Sequence, residues 1–342
     1  MMPFKQLKGD INLLVLMNNN NSPYFNLASE EYILNHYRED CFMLWRNQPS
    51  IIVGKNQNTI AEINVDYVKT HQIPVVRRLS GGGAVFHDFG NLNFTFIKTD
   101  AGKSFSDFRG FTEPILEVLR SLGVNAEFSG RNDLTIDGKK FSGNAQYKHH
   151  DRTLHHGTLL FTSEIADLSA ALRPRASKFD GKSVQSVISR VTNIQEHLTH
   201  LDPPLDLDKF QALIQEHVIK KYGADAIHPF DEADIAAINK LVEQKYSTWE
   251  WNFGKSPEYS YQKEKKFAGG LVEIHLDVRQ GIIQNAKIFG DFFSRSDIKD
   301  IEDALLGQPH DLSALRNVYE RFAIGEAYLT NITVEDLLEI SL

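Results

Sequence analysis

Residues 77–88, RRLSGGGAVFHD, set two arginines against three consecutive glycines and close on a histidine and an aspartate. Glycine offers no side chain to pack and loses the most backbone freedom on folding, so three in a row between strand-like segments need an offset. A bare turn lets a ligand approach, and its successive main-chain N–H groups form an anion-binding nest. Beside Arg77 and Arg78, such a nest suits a phosphate or a carboxylate. Taken alone, the stretch reads equally well as a glycine bulge with both arginines solvated.

Three further segments have the same character. GRNDL at 130–134 and KFSGNA at 140–145 add glycines, a third arginine and Lys140, with Lys139 just before it, and HHGTLL at 155–160 begins another strand. Four polar, glycine-bearing segments at strand ends exceed what packing requires, and together they predict a site.

The elements that must position these residues alternate between helix and strand. PYFNLASEEYILNHYRED predicts a helix capped at Asn26, with Leu27, Leu34 and Tyr37 on one face. Two apolar strands follow, broken at Gln48-Pro49, then a short helix near NVDYVKTHQ, a strand before the glycines and another in NLNFTFIK. GFTEPILEVLRSLG is amphipathic, with Ile115, Leu119 and Leu122 at helical spacing and Gly123 as a stop. Asp137-Gly138 is a favoured hairpin pair between alternating segments. After a basic loop at 173–190 and a break at Pro203-Pro204, DKFQALIQEHVIKKYG predicts a further helix.

The expected architecture is an α/β (α+β) catalytic domain over 1–253 with a mixed sheet, a polar aperiodic connection over 254–266, and a small α+β domain over 267–342. In the last, Val272, Ile274, Leu276 and Val278 alternate with polar residues as in a half-buried strand, Gln280-Gly281 turns the chain, and two amphipathic helices follow.

Composition narrows the function. The 342 residues are 42% hydrophobic and 24% charged, as in globular proteins, and the net charge of −8 argues against nucleic acid as a partner. The single cysteine, Cys41, excludes an intramolecular disulfide and a Cys-rich metal site, and its default setting is a reducing cytoplasm. No run approaches the roughly 20 apolar residues of a bilayer span. GKS occurs at Gly102, Gly181 and Gly254, but the glycine that a phosphate-binding P-loop needs five places earlier is Ile97, Ala176 or Trp249. His155 and His156 are strand neighbours that point to opposite faces, so they do not converge on one ion, although one of them can approach a ligand.

Taken in order, RRLSGGGAVFHD, GRNDL, KFSGNAQ, HHGTLLF, SVISRVTNI and WEWNFGKSPEY resemble the lipoate-protein ligase A family over nearly the whole chain. The resemblance implies a catalytic-domain fold shared with biotin protein ligases, followed by an accessory domain. It also implies an ATP-dependent enzyme that makes lipoyl-AMP, releases pyrophosphate and passes the lipoyl group to a lysine of an apo lipoyl domain. Acceptors of that kind are the acyltransferase subunits of 2-oxo-acid dehydrogenases and the glycine cleavage H protein; neither nucleic acid nor membrane is a partner.

By resemblance, Arg78, Gly83, Ala84, Val85 and Phe86 contact ATP, and Lys140 touches both nucleotide and lipoate as the catalytic residue. Strand alternation admits only one of Lys139 and Lys140 to a site. Gly81, Gly82, His87, Asn144 and His156 complete the binding set, with Asn91 and Asp133 as candidates for polar contacts or Mg2+. The loop 173–190, with Lys182, is expected to close over the adenylate, and the lipoyl tail to lie against apolar residues near Trp45 and Leu79. The rival readings are an octanoyl or lipoyl transferase acting through a cysteine thioester, which would need Cys41, a biotin ligase, and a carrier that binds lipoate without activating it.

Overall fold

The runs LLVLM and DCFMLW form β1 (Leu13–Met17) and β2 (Asp40–Trp45), a parallel pair joined by α1 (Pro23–His36). β2 is buried from Cys41 to Trp45 because the sheet continues on both sides and is covered on both faces. The computed structural model describes residues 13–55, 57, 59–100, 104–130, 132–164, 171–172, 191–224, 227–254, 259–290, 292 and 296–342.

α1 starts at the Ser22-Pro23 step, where proline's missing N–H is harmless. Asn26, the expected cap, lies inside the helix, fully buried, and donates from Nδ2 to the carbonyls of Asn20 and Arg46. It clasps two loops instead of ending a helix. β3 (Ser50–Val53), β4 (Val75–Arg77) and β5 (Val85–His87) make a small sheet of order β4-β3-β5, and the glycine loop joins its two outer strands.

The main sheet is completed by β6 (Asn91–Thr99), β7 (Ala126–Ser129), β8 (Asp133–Ile136), β9 (Lys139–His149), β10 (Arg152–Leu160) and β11 (Ile227–Pro229). Its order is β11-β1-β2-β6-β10-β9-β8-β7, parallel among the first three and antiparallel beyond. Asp137 and Gly138 both take positive φ, 49° and 77°, and turn β8 into β9 as the dipeptide predicts. α2 (Phe108–Ser121), capped by Asp107, packs Ile115 and Leu119 against Phe42, Phe94 and Phe96. α3 (Leu207–Tyr222) adds Phe210, Ile214 and Val218 to the same core and ends on left-handed Gly223, and α4 (Glu232–Leu241) follows β11.

The described chain divides into two compact units, one running to Lys55 and from Thr70 to Thr248, the other combining residues 56–69 with 249–342. In the second, β12 (Tyr259–Phe267), β13 (Gly270–Arg279) and β14 (Ile282–Gly290) form an antiparallel sheet. β12 lies inside the stretch whose lack of period reads as a connection. It is an edge strand bearing Lys263, Lys265 and Lys266, held by main-chain bonds that hydropathy does not register. α5 (Lys299–Leu305) and α6 (Leu312–Tyr319) are the two expected helices, and α7 (Val334–Ser341) is a third. Thr59 Oγ1 donates to the Asn252 carbonyl at 2.6 Å, fastening the earlier segment within this unit.

Candidate active site

A cavity of about 190 Å³ lies where the glycine loop meets β5, β9 and β10. The loop contributes Gly82, Gly83 and Ala84; β5 contributes Val85 and His87; β9 contributes Lys140, Gly143, Asn144 and Ala145; β10 contributes His156, Gly157 and Thr158. Leu27, Trp45 and Ile52 supply an apolar wall, and Asn93 and Asn132 add amides. Alternation along β5 turns Phe86 away into the core. Gly81, Asn91, Asp133 and Leu79 are likewise outside the lining, while Lys182 and the loop 173–190 lie outside the described residues.

Lys140 reaches the cavity because β9 is irregular at its start. Pairing slips between Leu134 and Thr135, so Phe141 is skipped and Lys140 sits opposite Thr135. Such a bulge re-aims a side chain. Lys139 stays exposed. The Lys140 main chain is held on the other side by a hydrogen bond from Thr192 N, 2.9 Å, and its Nζ lies 2.8 Å from Asp133 Oδ1.

Arg78 is buried and organises the loop. Its Nη2 donates to the carbonyls of Gly81 and Gly83 at 2.6 and 2.8 Å, Nη1 to that of Ile52 at 3.1 Å, and Nε to Ser80 Oγ at 3.1 Å. With these carbonyls turned onto one guanidinium, the N–H groups of Gly81, Gly82 and Gly83 have no main-chain partner among the described residues. Glycine is needed at two positions here. Gly82 has φ of 92°, and a Cβ on Gly54 would stand 2.1 Å from the Gly82 carbonyl oxygen.

A buried polar chain backs this loop. Ser80 Oγ lies 2.6 Å from His156 Nε2, and His156 Nδ1 donates to the Glu30 carboxylate at 3.0 Å. Glu30 also accepts from Thr95 Oγ1, which accepts from Trp45 Nε1. Glu30 belongs to none of the motifs that mark the site, yet it leaves a signal in the sequence: a carboxylate three residues after Leu27 and four before Leu34, on the face of α1 expected to be apolar.

The two adjacent histidines do face opposite ways. His155 stacks on Phe111 and Phe94 in the core, where burial holds it neutral, well below the usual imidazole range. Gly157 lets β10 approach β9, since a Cβ there would meet Asn144 Oδ1 at 2.2 Å. Cys41 does not line the cavity, and burial pushes its thiol up to about 12. No group of three or more His, Cys, Asp or Glu side chains among the described residues could cage a metal.

Such a cavity, with a lysine, open main-chain donors and an apolar wall, marks a catalytic domain that handles an anion carrying an apolar group. The model of the lipoyl protein ligase A/B catalytic domain matches residues 22–219, and that of the bacterial lipoate protein ligase C-terminus matches 256–340. Lipoate-protein ligase 1 of Staphylococcus aureus is 44% identical, covering 94% of this chain and 98% of its own, and a lipoate-protein ligase of Bacillus subtilis is 42% identical over 96% and 99%. Among solved structures, the bi-partite lipoate protein ligase of Thermoplasma acidophilum, described with its E2 lipoyl domain, has a TM-score of 0.63 at 29% identity, covering 72% of this chain and 98% of that one. A lipoate-protein ligase A bound with ATP has a TM-score of 0.60 at 27% identity, over 71% and 98%. A P. falciparum protein in complex with lipoate has a TM-score of 0.59 at 27% identity, over 96% and 97%. The chain therefore belongs to the lipoyl protein ligase A/B family, and its activity is that of a lipoate-protein ligase.

Proposed function

We propose that the cavity binds ATP and lipoate together, forms lipoyl-AMP, and then presents that adenylate to the lysine of an apo lipoyl domain. The observation that carries this reading is the convergence of Lys140, the loop glycines Gly82 and Gly83, and the apolar Trp45–Leu27–Ile52 wall on one cavity. A carboxylate resists amine attack because it is an anion with a poor leaving group. In the first step a lipoate oxygen attacks the α-phosphorus, the bond to the β-phosphate breaks, and pyrophosphate leaves with the electron pair. In the second, the acceptor amine attacks the acyl carbon, an amide forms, AMP leaves and the amine loses a proton.

Both steps build negative charge on oxygens, and preorganised donors stabilise such charge most where water is excluded. Lys140 supplies the mobile cation. Arg78 acts mainly by holding the loop carbonyls so that the opposite edge of the loop offers its N–H groups to phosphate. Ala84 and Val85 contribute from the wall, with Phe86 acting through its main chain. The lipoyl tail fits the apolar wall, each buried methylene contributing about 0.8 kcal/mol. Magnesium would be held chiefly by the nucleotide's phosphates, because Asp133, the carboxylate paired with Lys140 among the described residues, already engages it.

We take the acceptors to be the acyltransferase subunits of 2-oxo-acid dehydrogenases and the glycine cleavage H protein. The setting is the cytoplasm, in keeping with a lone buried thiol; among the described residues no helix is long and apolar enough to cross a membrane. The test is pyrophosphate release from ATP and magnesium, with and without lipoate, followed by mass measurement of apo lipoyl domains and apo H protein. Lipoate-dependent release and a lipoylated lysine are expected. Release without lipoate, or binding of lipoate without release, would refute the proposal.

A further inference from the structure

Glu30, on α1, is 1% exposed, and Arg78, just after β4, is 6% exposed. A buried charge is costly unless it is paired. Yet the Arg78 guanidinium meets neutral acceptors, the carbonyls of Ile52, Gly81 and Gly83 and the Ser80 hydroxyl, and has no ion pair among the described residues. Ser80 and His156 stand between the two charges.

The direction of each proton along this chain is fixed. A guanidinium only donates, so Ser80 Oγ accepts from Arg78 Nε at 3.1 Å and sends its own proton to His156 Nε2, 2.6 Å away. The ring proton therefore sits on Nδ1, 3.0 Å from both Glu30 oxygens. An indole N–H likewise only donates, so Thr95 Oγ1 accepts from Trp45 Nε1 at 2.8 Å and gives its proton to Glu30 Oε1 at 2.6 Å. Two chains of donors end on one carboxylate. Burial brings the Arg78 guanidinium down to about 10, and the negative charge of Glu30 acts the other way.

We infer that Glu30 is a positioning residue for the glycine loop: acting through His156 and Ser80, it holds the Arg78 fork in the orientation that gathers the Gly81 and Gly83 carbonyls. The inference rests on the adenylate reading above, in which the opposite edge of that loop faces phosphate. Glu30 and Ser80 do not line the cavity, whereas Arg78, Gly82 and Gly83 do, so their effect on a nucleotide passes through what they hold. The Ser80 hydroxyl is the side-chain acceptor on the Nε edge of the fork, and its own bond to His156 gives that edge a fixed partner. His156 lines the cavity as well, so the test leaves that residue in place.

The experiment is a double-mutant cycle on Ser80→Ala and Glu30→Gln, read as KM for ATP and kcat in lipoate-dependent pyrophosphate release. Each single variant should raise KM for ATP roughly tenfold, as for a lost hydrogen bond to a charged group, while kcat falls less. The double variant should lose far less than the product of the two, because cutting either link opens the same chain. In the wild type, 15N-resolved spectra should place the His156 proton on Nδ1, and in Ser80→Ala the Nε2 resonance should move downfield as that nitrogen loses its donor. Losses that multiply in the double variant, an unchanged KM for ATP in either single variant, or an Nε2–H ring in the wild type would each overturn the inference while leaving the ligase reading intact. A wild type that releases no pyrophosphate with lipoate would overturn both. Should Glu30→Gln not fold, the KM of Ser80→Ala and the wild-type spectra decide.

Discussion

Lys140 Nζ and Asp133 Oδ1 stand 2.8 Å apart across the β8–β9 hairpin, both about two-fifths exposed. The pair holds the lysine at the cavity rim in a setting too wet to contribute much stability. A ligand anion therefore competes with a weakly held carboxylate and recruits a side chain already close to position.

Lys140→Ala should lower adenylate formation by roughly 100- to 1,000-fold, matching the roughly 3 to 4 kcal/mol that a preorganised donor contributes to a transition state. Lys139→Ala should change it little, because that side chain points out of the site. Pyrophosphate release under saturating lipoate measures both. Equal rates for wild type and Lys140→Ala would remove Lys140 from the chemistry.

Gly83→Val should raise KM for ATP while leaving Tm near that of the wild type. A Cβ built at Gly83 meets no heavy atom within 4 Å, so the fold accommodates it, yet Gly83 lines the cavity and a branched side chain would occupy nucleotide space. An unchanged KM would show that phosphate does not approach this edge of the loop.

Cys41→Ser should leave turnover close to wild type, with a stability loss of about 1 kcal/mol for a hydroxyl in an apolar setting. Cys41 is interior to the sheet, its Sγ contacts the Glu39 carbonyl, and burial disfavours the thiolate. Mass spectrometry during turnover should find no acyl-enzyme. Complete loss of transfer in a folded variant would favour the thioester route.

Folding stability should fall as pH drops below about 6.5. His87 and His155 are held neutral in the folded protein, the first down to about 3 and the second well below its usual range, both mainly by burial. The unfolded chain takes up protons at these rings from about pH 6.5 downward and the folded chain does not, so each removes about 1.4 kcal/mol per pH unit. Between pH 6.5 and 5, where most carboxylates remain ionised, urea midpoints should decline steadily. A flat profile would mean that these rings are accessible to protons in the native state.

By itself the sequence determined the elements whose signals are local. Alternation marked β13, Asp137-Gly138 marked the turn that lifts β9 beside β8, and opposite facing along a strand separated Lys139 from Lys140 and His155 from His156. The clustering of glycine with fixed cations located the loop, because bare backbone beside charge is costly unless something uses it. Tertiary structure alone decided what those groups hold. Arg78 lines the cavity, as its place beside the glycines suggests, and its donors also tie the carbonyls of Ile52, Gly81 and Gly83 together. Glu30 and His156, 126 residues apart, meet only because α1 lies against β10. Asn26 reads as a cap and is a buried clasp that joins the Asn20 and Arg46 carbonyls, and β12 is a strand without a hydropathy period. Each of these depends on which donors and acceptors packing brings together after burial has removed water. Residue type and spacing along the chain do not carry that pairing.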